Sequence, residues 1–323
     1  MNLHQLRAVC EVVKRGLRMS TAATALYKSQ PRISSQIKEI EDELGVRVFR
    51  RKKNKIEALT PAGREVIRVA ERILRDFESL RLIGKEYSKT DVGELTIATT
   101  HTHARHSLPK VIESFVRQFP NVGVTIRQGN PMQCGELVAA GEADLAISTG
   151  TLQSVCDVVS LPVYRVARCI VARRDDPILK EKKLTLEKLA NYPIIAFEAA
   201  FGGRQVVNEA FSDAGLKPRV VLTAVDADVS KAYVERGMGI AILAKVAFNP
   251  VKDKDLRTID ADHLFKSSVL NVSLRKQAYL RSYVLSFISL YAPHLPRNVV
   301  MDAVESADID ITRLNLPLPF YPS

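Results

Sequence analysis

Two sets of side chains have the types and spacing to do chemistry, and both suit anions. The first is Ser29, Gln30, Arg32, Ser34, Ser35 and Lys38, with Arg50, Arg51, Lys52 and Lys53 shortly after. Gln and Arg can read base edges through paired hydrogen bonds, while Ser and Lys hold phosphate oxygens. The second is Thr100, Thr102 and Thr149, with His101, His103 and His106 close to the first two. Hydroxyls beside the free N–H groups of a helix start suit an oxyanion, although threonines at strand ends also serve as plain caps. The H-x-H spacing would suit a metal if it lay on a continuing strand. Thr102 and Ala104 look instead like a helix start, and only His4, His263 and His294 remain to complete a ligand set.

No catalytic residue, metal or cofactor is expected. G-x-G-x-x-G, Walker A and G-x-S-x-G are absent, and Phe201-Gly202-Gly203-Arg204 opens a helix without the other glycines. Cys10, Cys134, Cys156 and Cys169 show no C-x-x-C spacing and read as reduced, partly buried hydrophobes. An enzyme is therefore not the expectation.

These residues need elements to hold them. Leu3, Leu6, Val9, Val12 and Val13 recur at helical spacing up to Gly16. Ser20 is placed to cap a short Ala-rich helix through Leu26. Pro31 suits the first position of a third helix, whose one face is Ile33, Ile37, Ile40 and Leu44 and which Gly45 ends. Arg32, Ser34, Ser35, Gln36 and Lys38 are left for solvent or a ligand. Val48 and Phe49, a basic turn and Ile56 to Leu59 then read as a wing. The whole has the format of a winged helix-turn-helix, although a helical cap with a solvated hairpin would carry the same charges. Thr60 and Pro61 open a long helix to about Tyr87. Its stripe of Val66, Val69, Ala70, Ile73, Leu74, Phe77, Leu80 and Ile83 asks for a partner, from a second copy or from the chain's own body.

Beyond Gly93 strands and helices alternate in a doubly wound α/β pattern. Strands are expected over 94–99, 122–128 and 143–148, with helices over 108–119 and 132–140. A second set starts with a strand over 163–171 and adds strands over 193–197, 220–223 and 240–243, with helices over 184–190, 205–214 and 229–237. Ligands bind beyond the carboxyl ends of such strands, which is where Thr100, Thr102 and Thr149 fall.

Charge divides the chain in the same place. The 323 residues hold 47 Lys+Arg and 36 Asp+Glu, net +11; residues 1–90 hold 20 and 11, net +9, leaving 27 and 25 for the rest. A basic end on a near-neutral body is the charge map of a DNA-binding head, although a solvated basic face would look the same. No apolar run nears about 18 residues and no export signal is readable, so a cytoplasmic protein without a membrane span is expected. At 46% hydrophobic and 26% charged residues, the composition excludes collagen-like and disordered chains.

The blocks Asn2-Leu3-His4-Gln5-Leu6-Arg7, Ser29-Gln30-Pro31-Arg32-Ile33-Ser34, Ile40-Glu41-Asp42-Glu43-Leu44-Gly45-Val46, Phe49-Arg50-Arg51 and Leu59-Thr60-Pro61-Ala62-Gly63 resemble a LysR-type transcriptional regulator. Residues 97–105 and 223–229, and Phe287 with Tyr291-Ala292-Pro293-His294-Leu295, are similar to the subgroup regulating sulfur assimilation, cysteine or sulfonate genes. The resemblance implies a winged helix-turn-helix over 1–60, a dimerising linker helix over 61–90 and an effector body over 91–323. That body would be two periplasmic-binding-protein-like lobes, lobe I over about 91–162 and 268–295 and lobe II over about 163–267, with a tail over 296–323. A solute-binding protein would share the lobes, but it would need an export signal and no basic head.

The resemblance further implies double-stranded promoter DNA as a partner, a homodimer or homotetramer, and a sulfate-, thiosulfate- or acetylserine-like anion in a pocket at Thr100, Thr102, His103, Thr149, Val166 and Gly202. The subgroup carries Gln, Trp and Thr where this chain has His103, Val166 and Gly202. An imidazole titrating near pH 6.5 would strengthen anion binding below that pH. The tail, acidic and then Pro-rich, reads equally as a short helix with an extended segment on a neighbouring subunit or as disordered.

Overall fold

The computed structural model describes residues 1–53, 55–87, 92–150, 152, 155, 157–181, 183–198, 202–306 and 319–321. Cys156 lies outside them. The chain forms two compact units, Met1–Lys89 and Thr90–Ser323.

In the first unit, α1 (Leu3–Lys14) starts at Asn2, whose side chain accepts from the His4 and Gln5 N–H groups while Gln5 returns to the Asn2 N–H. This capping box satisfies donors that the helix leaves open. Gly16 at φ +64° and Leu17 at +66° turn the chain so early that α2 (Met19–Ala25) begins before Ser20. Ser20 is therefore inside the helix, and the cap position is Arg18, without a side-chain cap. Ser29 precedes α3 (Gln30–Leu44), Pro31 sits in its first turn, and Gly45 at φ +67° ends it. The wing follows as β1 (Phe49–Lys52) and β2 (Lys55–Leu59), antiparallel with a bulge at Arg50/Arg51. The core joins Leu6, Val9, Val12, Ile33, Ile37 and Ile40 to Val48 and Phe49 of the wing. Then α4 (Pro61–Tyr87) adds Ile67 and Ala70 to that core, while Leu80 further along the same helix stays 66% exposed.

The second unit holds two five-stranded sheets. In lobe I, β3 (Gly93–Thr99) leads to α5 (His101–His106), α6 (Pro109–Gln118), β4 (Val122–Gln128), α7 (Pro131–Ala139), β5 (Leu145–Thr149) and β6 (Val158–Val166). Lobe II comprises β7 (Arg168–Arg173), α8 (Leu186–Ala190), β8 (Pro193–Phe197), α9 (Gly202–Asp213), β9 (Arg219–Ala224), α10 (Ala227–Glu235), β10 (Ile240–Ala244) and β11 (Leu256–Asp260). The chain returns to lobe I through β12 (Ser268–Arg275), α11 (Ser282–Tyr291) and α12 (Arg297–Glu305). The sheet orders are β4-β3-β5-β12-β6 and β11-β7-β10-β8-β9.

Two expectations need correction. The strand over 163–171 is two strands in different sheets: β6 pairs with β12 as far as Val166, and β7 pairs with β10 and β11. Lobe I thus runs past residue 162 and the chain crosses at Ala167. The stretch is mostly apolar, and Arg165 and Arg168 do not fall at a spacing that shows where one sheet stops and the next begins. β11 was not expected at all, because Leu256 alone of its five residues is buried. The tail's last described residues, 319–321, return to lobe I. Phe320 bridges Arg165, and Tyr321 packs on Tyr164 and Tyr291 while donating to the Ser107 carbonyl. Among the described residues no helix is long and apolar enough to cross a membrane.

Candidate DNA and effector sites

On the head, Ser29, Gln30, Arg32, Ser35 and Lys38 are exposed and Ser34 is half-buried, so the start of α3 is open to a ligand. Arg50, Arg51 and Lys52 are exposed along β1, and Lys53 makes the turn at φ +45°. Gln36, expected to face solvent or a ligand, is 3% exposed and accepts from Lys28 Nζ at 3.3 Å. Helical rotation carries it to the core face beside Ile33 and Ile40. Ser35 donates to Glu39 Oε1 at 2.7 Å and Gln5 Nε2 donates to Glu39 Oε2 at 2.8 Å. Those two hydrogen bonds hold the Glu39 carboxyl below its usual pKa.

A residue that sequence reasoning missed joins α3 to the wing. Glu41, 2% exposed, accepts from the Val48 and Phe49 N–H groups at 2.9 and 3.1 Å, with Arg47 Nη1 at 3.1 Å on its other oxygen. It ties α3 to the root of the wing. The only signal was a carboxylate on the apolar face, one residue after Ile40.

In the body, topology lines up the expected effector residues along one end of the first sheet. β3 runs parallel to β5 with Thr99 opposite Ile147, so Thr100, past the end of β3, and Thr149, the last residue of β5, fall at the same end of the sheet. β12 is antiparallel to β5, and β6 antiparallel to β12, so Ser268 at the start of one pairs with Val166 at the end of the other on that edge. Gly202 opens α9 beyond the end of β8 in lobe II. Thr100 holds the N-cap position of α5, yet its side chain makes no capping hydrogen bond. Thr102 and Thr149 are half-buried, and Val166 is buried.

His103 does not behave as the sequence suggested. It is 3% exposed, with Nδ1 at 3.0 Å from Ser107 Oγ. Burial, with the nearby His106 charge, pulls its pKa down to about 4, so the ring is neutral from pH 6 to 8. Burial therefore works against the expected gain in anion binding below pH 6.5, because it disfavours the charged ring.

The other two histidines of α5 reach lobe II. Asp228 Oδ2 lies 3.2 Å from His101 Nε2, 2.7 Å from Arg105 Nε and 3.6 Å from His106 Nε2, while its Oδ1 lies 3.1 Å from Lys231 Nζ. Burial raises the Asp228 pKa, but Lys231, His101 and His106 lower it further, leaving it below the usual carboxylate range. Ligand atoms of His101, Asp226 and Asp228 lie within 4.8 Å of one another. Arg105 and Lys231 already neutralise Asp228, which disfavours a cation there.

Comparison with known proteins accords with this architecture. Residues 3–64 match the family model described as bacterial regulatory helix-turn-helix protein, lysR family, and residues 88–296 match the LysR substrate binding domain. The chain is 47% identical over 94% of its length to the HTH-type transcriptional regulator CysB of Burkholderia cenocepacia, covering 97% of that protein. It is 45% identical over 91% of its length to the regulator SsuR of the same organism, covering 96% of it. The crystal structure of the cofactor-binding domain of the Cbl transcriptional regulator matches 67% of this chain and 95% of its own, at 35% identity and a TM-score of 0.64. With a basic head, a recognition helix open at its start and a two-lobed body matched over almost their whole length, the chain belongs to the LysR family of transcriptional regulators and is not an enzyme.

Proposed function

We propose that this regulator controls genes of sulfur assimilation, cysteine or sulfonate metabolism, and that a small anion held between the two lobes switches it. Ser29, Gln30, Arg32, Ser34, Ser35 and Lys38 contact promoter DNA, and Arg50, Arg51, Lys52 and Lys53 hold flanking phosphates. Sulfate, thiosulfate or an acetylserine-like molecule binds at Thr100, Thr102, Thr149 and the start of α9 at Gly202, with His103 and Val166 packing behind. The observation that carries this reading is the Thr100 hydroxyl, at a helix start on the ligand end of the sheet but not spent on capping. Leu80, exposed on α4, supports a homodimer or homotetramer built through that helix. The protein would act in the cytoplasm, where its promoter DNA lies.

Effector in the cleft changes the balance of lobe arrangements, and the oligomer respaces its heads on DNA. A DNase footprint and bending assay with and without sulfate, thiosulfate and O-acetylserine tests this. A change in footprint or bend angle with one of them is expected, and binding that leaves both untouched overturns the mechanism. Arg32→Ala should cut discrimination between operator and random DNA, whereas Lys52→Ala should weaken both and flatten the salt dependence. Control of an unrelated pathway is the competing reading, favoured by His103, Val166 and Gly202 at three pocket positions; failure of all three anions to bind would select it.

A further inference from the structure

Arg168 begins β7, two residues past Val166, and is 3% exposed. Its Nη2 donates to Ser268 Oγ, while its buried Nε has no hydrogen-bond partner. Among the described residues no carboxylate forms an ion pair with it. Cys169 and Asp262 act on it from further off, and burial pushes the Cys169 thiol up to about 12, so that thiol carries no charge at pH 7. The Arg168 guanidinium, pulled down by burial to about 10, remains a cation there. A buried cation with no carboxylate in direct contact is costly, and Arg cannot escape by losing its proton.

A second feature of the same sign meets it. A Cβ added to Gly203, in the first turn of the 12-residue α9, would lie 3.4 Å from Arg168 Nη1 and 3.6 Å from Nη2. The bare glycine lets the guanidinium close on a helix start, which carries partial positive charge. Two positive groups packed together in a poorly solvated place repel each other unless an anion joins them.

We propose that Arg168 is a direct effector-binding residue, which with the first N–H groups of α9 takes the charged group of the ligand, a carboxylate or a sulfur oxyanion. The proposal rests on the effector reading above and deepens it. It also gives the anion a grip on the hinge, because Arg168 and its partner Ser268 stand on the two strands, β7 and β12, next to the crossovers between lobes.

The test is isothermal titration of the full chain with sodium sulfate and, separately, with O-acetylserine, in chloride of constant ionic strength. Melting temperatures with and without each anion accompany it, for wild type, Arg168→Met and Arg168→Lys. Arg168→Met should bind the effective anion at least tenfold more weakly, lose the anion-induced rise in melting temperature, and melt no lower than wild type without anion. The arm that loses affinity identifies the charged group. Wild-type affinity in Arg168→Met, or a lower melting temperature with the anion-induced rise intact, overturns the proposal and makes Arg168 a structural residue paired through Asp262. Should Arg168→Met not fold, Arg168→Lys decides, since it keeps the charge but loses the planar fork; unchanged affinity there overturns the proposal. If wild type binds neither anion, the effector reading itself fails and this one with it.

Discussion

His103 is held at 3% exposure against Ser107, and the cost of charging it there gives the fold a pH dependence. In the folded chain its pKa is about 4, against the usual 6.5, with burial the main cause. As pH falls through 6.5 the unfolded chain takes up a proton that the folded chain refuses. The stability present above 6.5 is therefore lost on the way down to 4, by about 2 kcal/mol at pH 5 and about 3 kcal/mol in full. His106 is depressed by burial in the same direction. His103→Gln keeps a polar group for Ser107 and removes the titration. Its urea-unfolding free energy should fall less between pH 7.5 and pH 5 than that of wild type; parallel losses would show that His103 is not the group responsible. The sequence named this histidine but not its state, because burial depends on how α5 rolls against α6. For the same reason Gln36 reads as ligand-facing and is buried, and Glu41 reads as an ordinary helix carboxylate and bolts the wing. Cutting Glu41 back to Ala should cost about 2–4 kcal/mol in head stability, since it strands the Val48 and Phe49 N–H groups in a buried place. Thermal unfolding of the variant measures it.

Elements with a clear period were legible. The Ile33, Ile37 and Ile40 face of α3, the glycine stops at Gly16 and Gly45, and the wing follow from spacing and turn chemistry, whereas Leu44, expected on the same face, is exposed at the end of the helix. Where β6 ends and β7 begins was not legible, since Arg165 and Arg168 interrupt the mostly apolar stretch from Val158 to Arg173 without marking a boundary, and the division comes only from pairing. Contacts between elements are the other blind spot, and Gly63 illustrates it. Its place after Thr60-Pro61 reads as helix-start chemistry, and Thr60 Oγ1 does accept from the Gly63 N–H at 2.8 Å. The structure adds that a Cβ on Gly63 would lie 2.0 Å from the Val48 carbonyl oxygen. That oxygen already accepts from the Thr60 N–H at 3.0 Å, so backbone at the wing root and backbone at the start of α4 touch. Gly63→Ala must push α4 off the wing, at a cost of about 3 kcal/mol. Thermal unfolding should show the head destabilised and DNA affinity reduced with it; a head as stable as wild type would mean that α4 is free to shift.

At the scale of the whole molecule, the surplus charge belongs to the head, and the near-neutral body must handle its anion with local groups. The body also carries an internal tie between its lobes. Asp228 on α10 of lobe II takes Arg105 and His101 from α5 of lobe I, directly beside the Thr100 and Thr102 positions. Arg105 and His101 are partly exposed, so each pair alone is worth little. Their effect is on which lobe arrangement prevails rather than on folding, because Lys231 keeps a second carboxylate, Asp253, at 3.0 Å when Asp228 is neutralised. If anion binding requires the arrangement that this tie favours, apparent affinity scales with the population of that arrangement. Asp228→Asn, which touches no proposed effector residue, should then weaken anion binding severalfold while the melting temperature without anion changes by no more than a few degrees. Calorimetric titration beside a melting curve separates the two. Unchanged affinity would mean that the lobes hold their arrangement without Asp228, and a collapse in melting temperature would mean that the tie is structural and acts through the fold of lobe II.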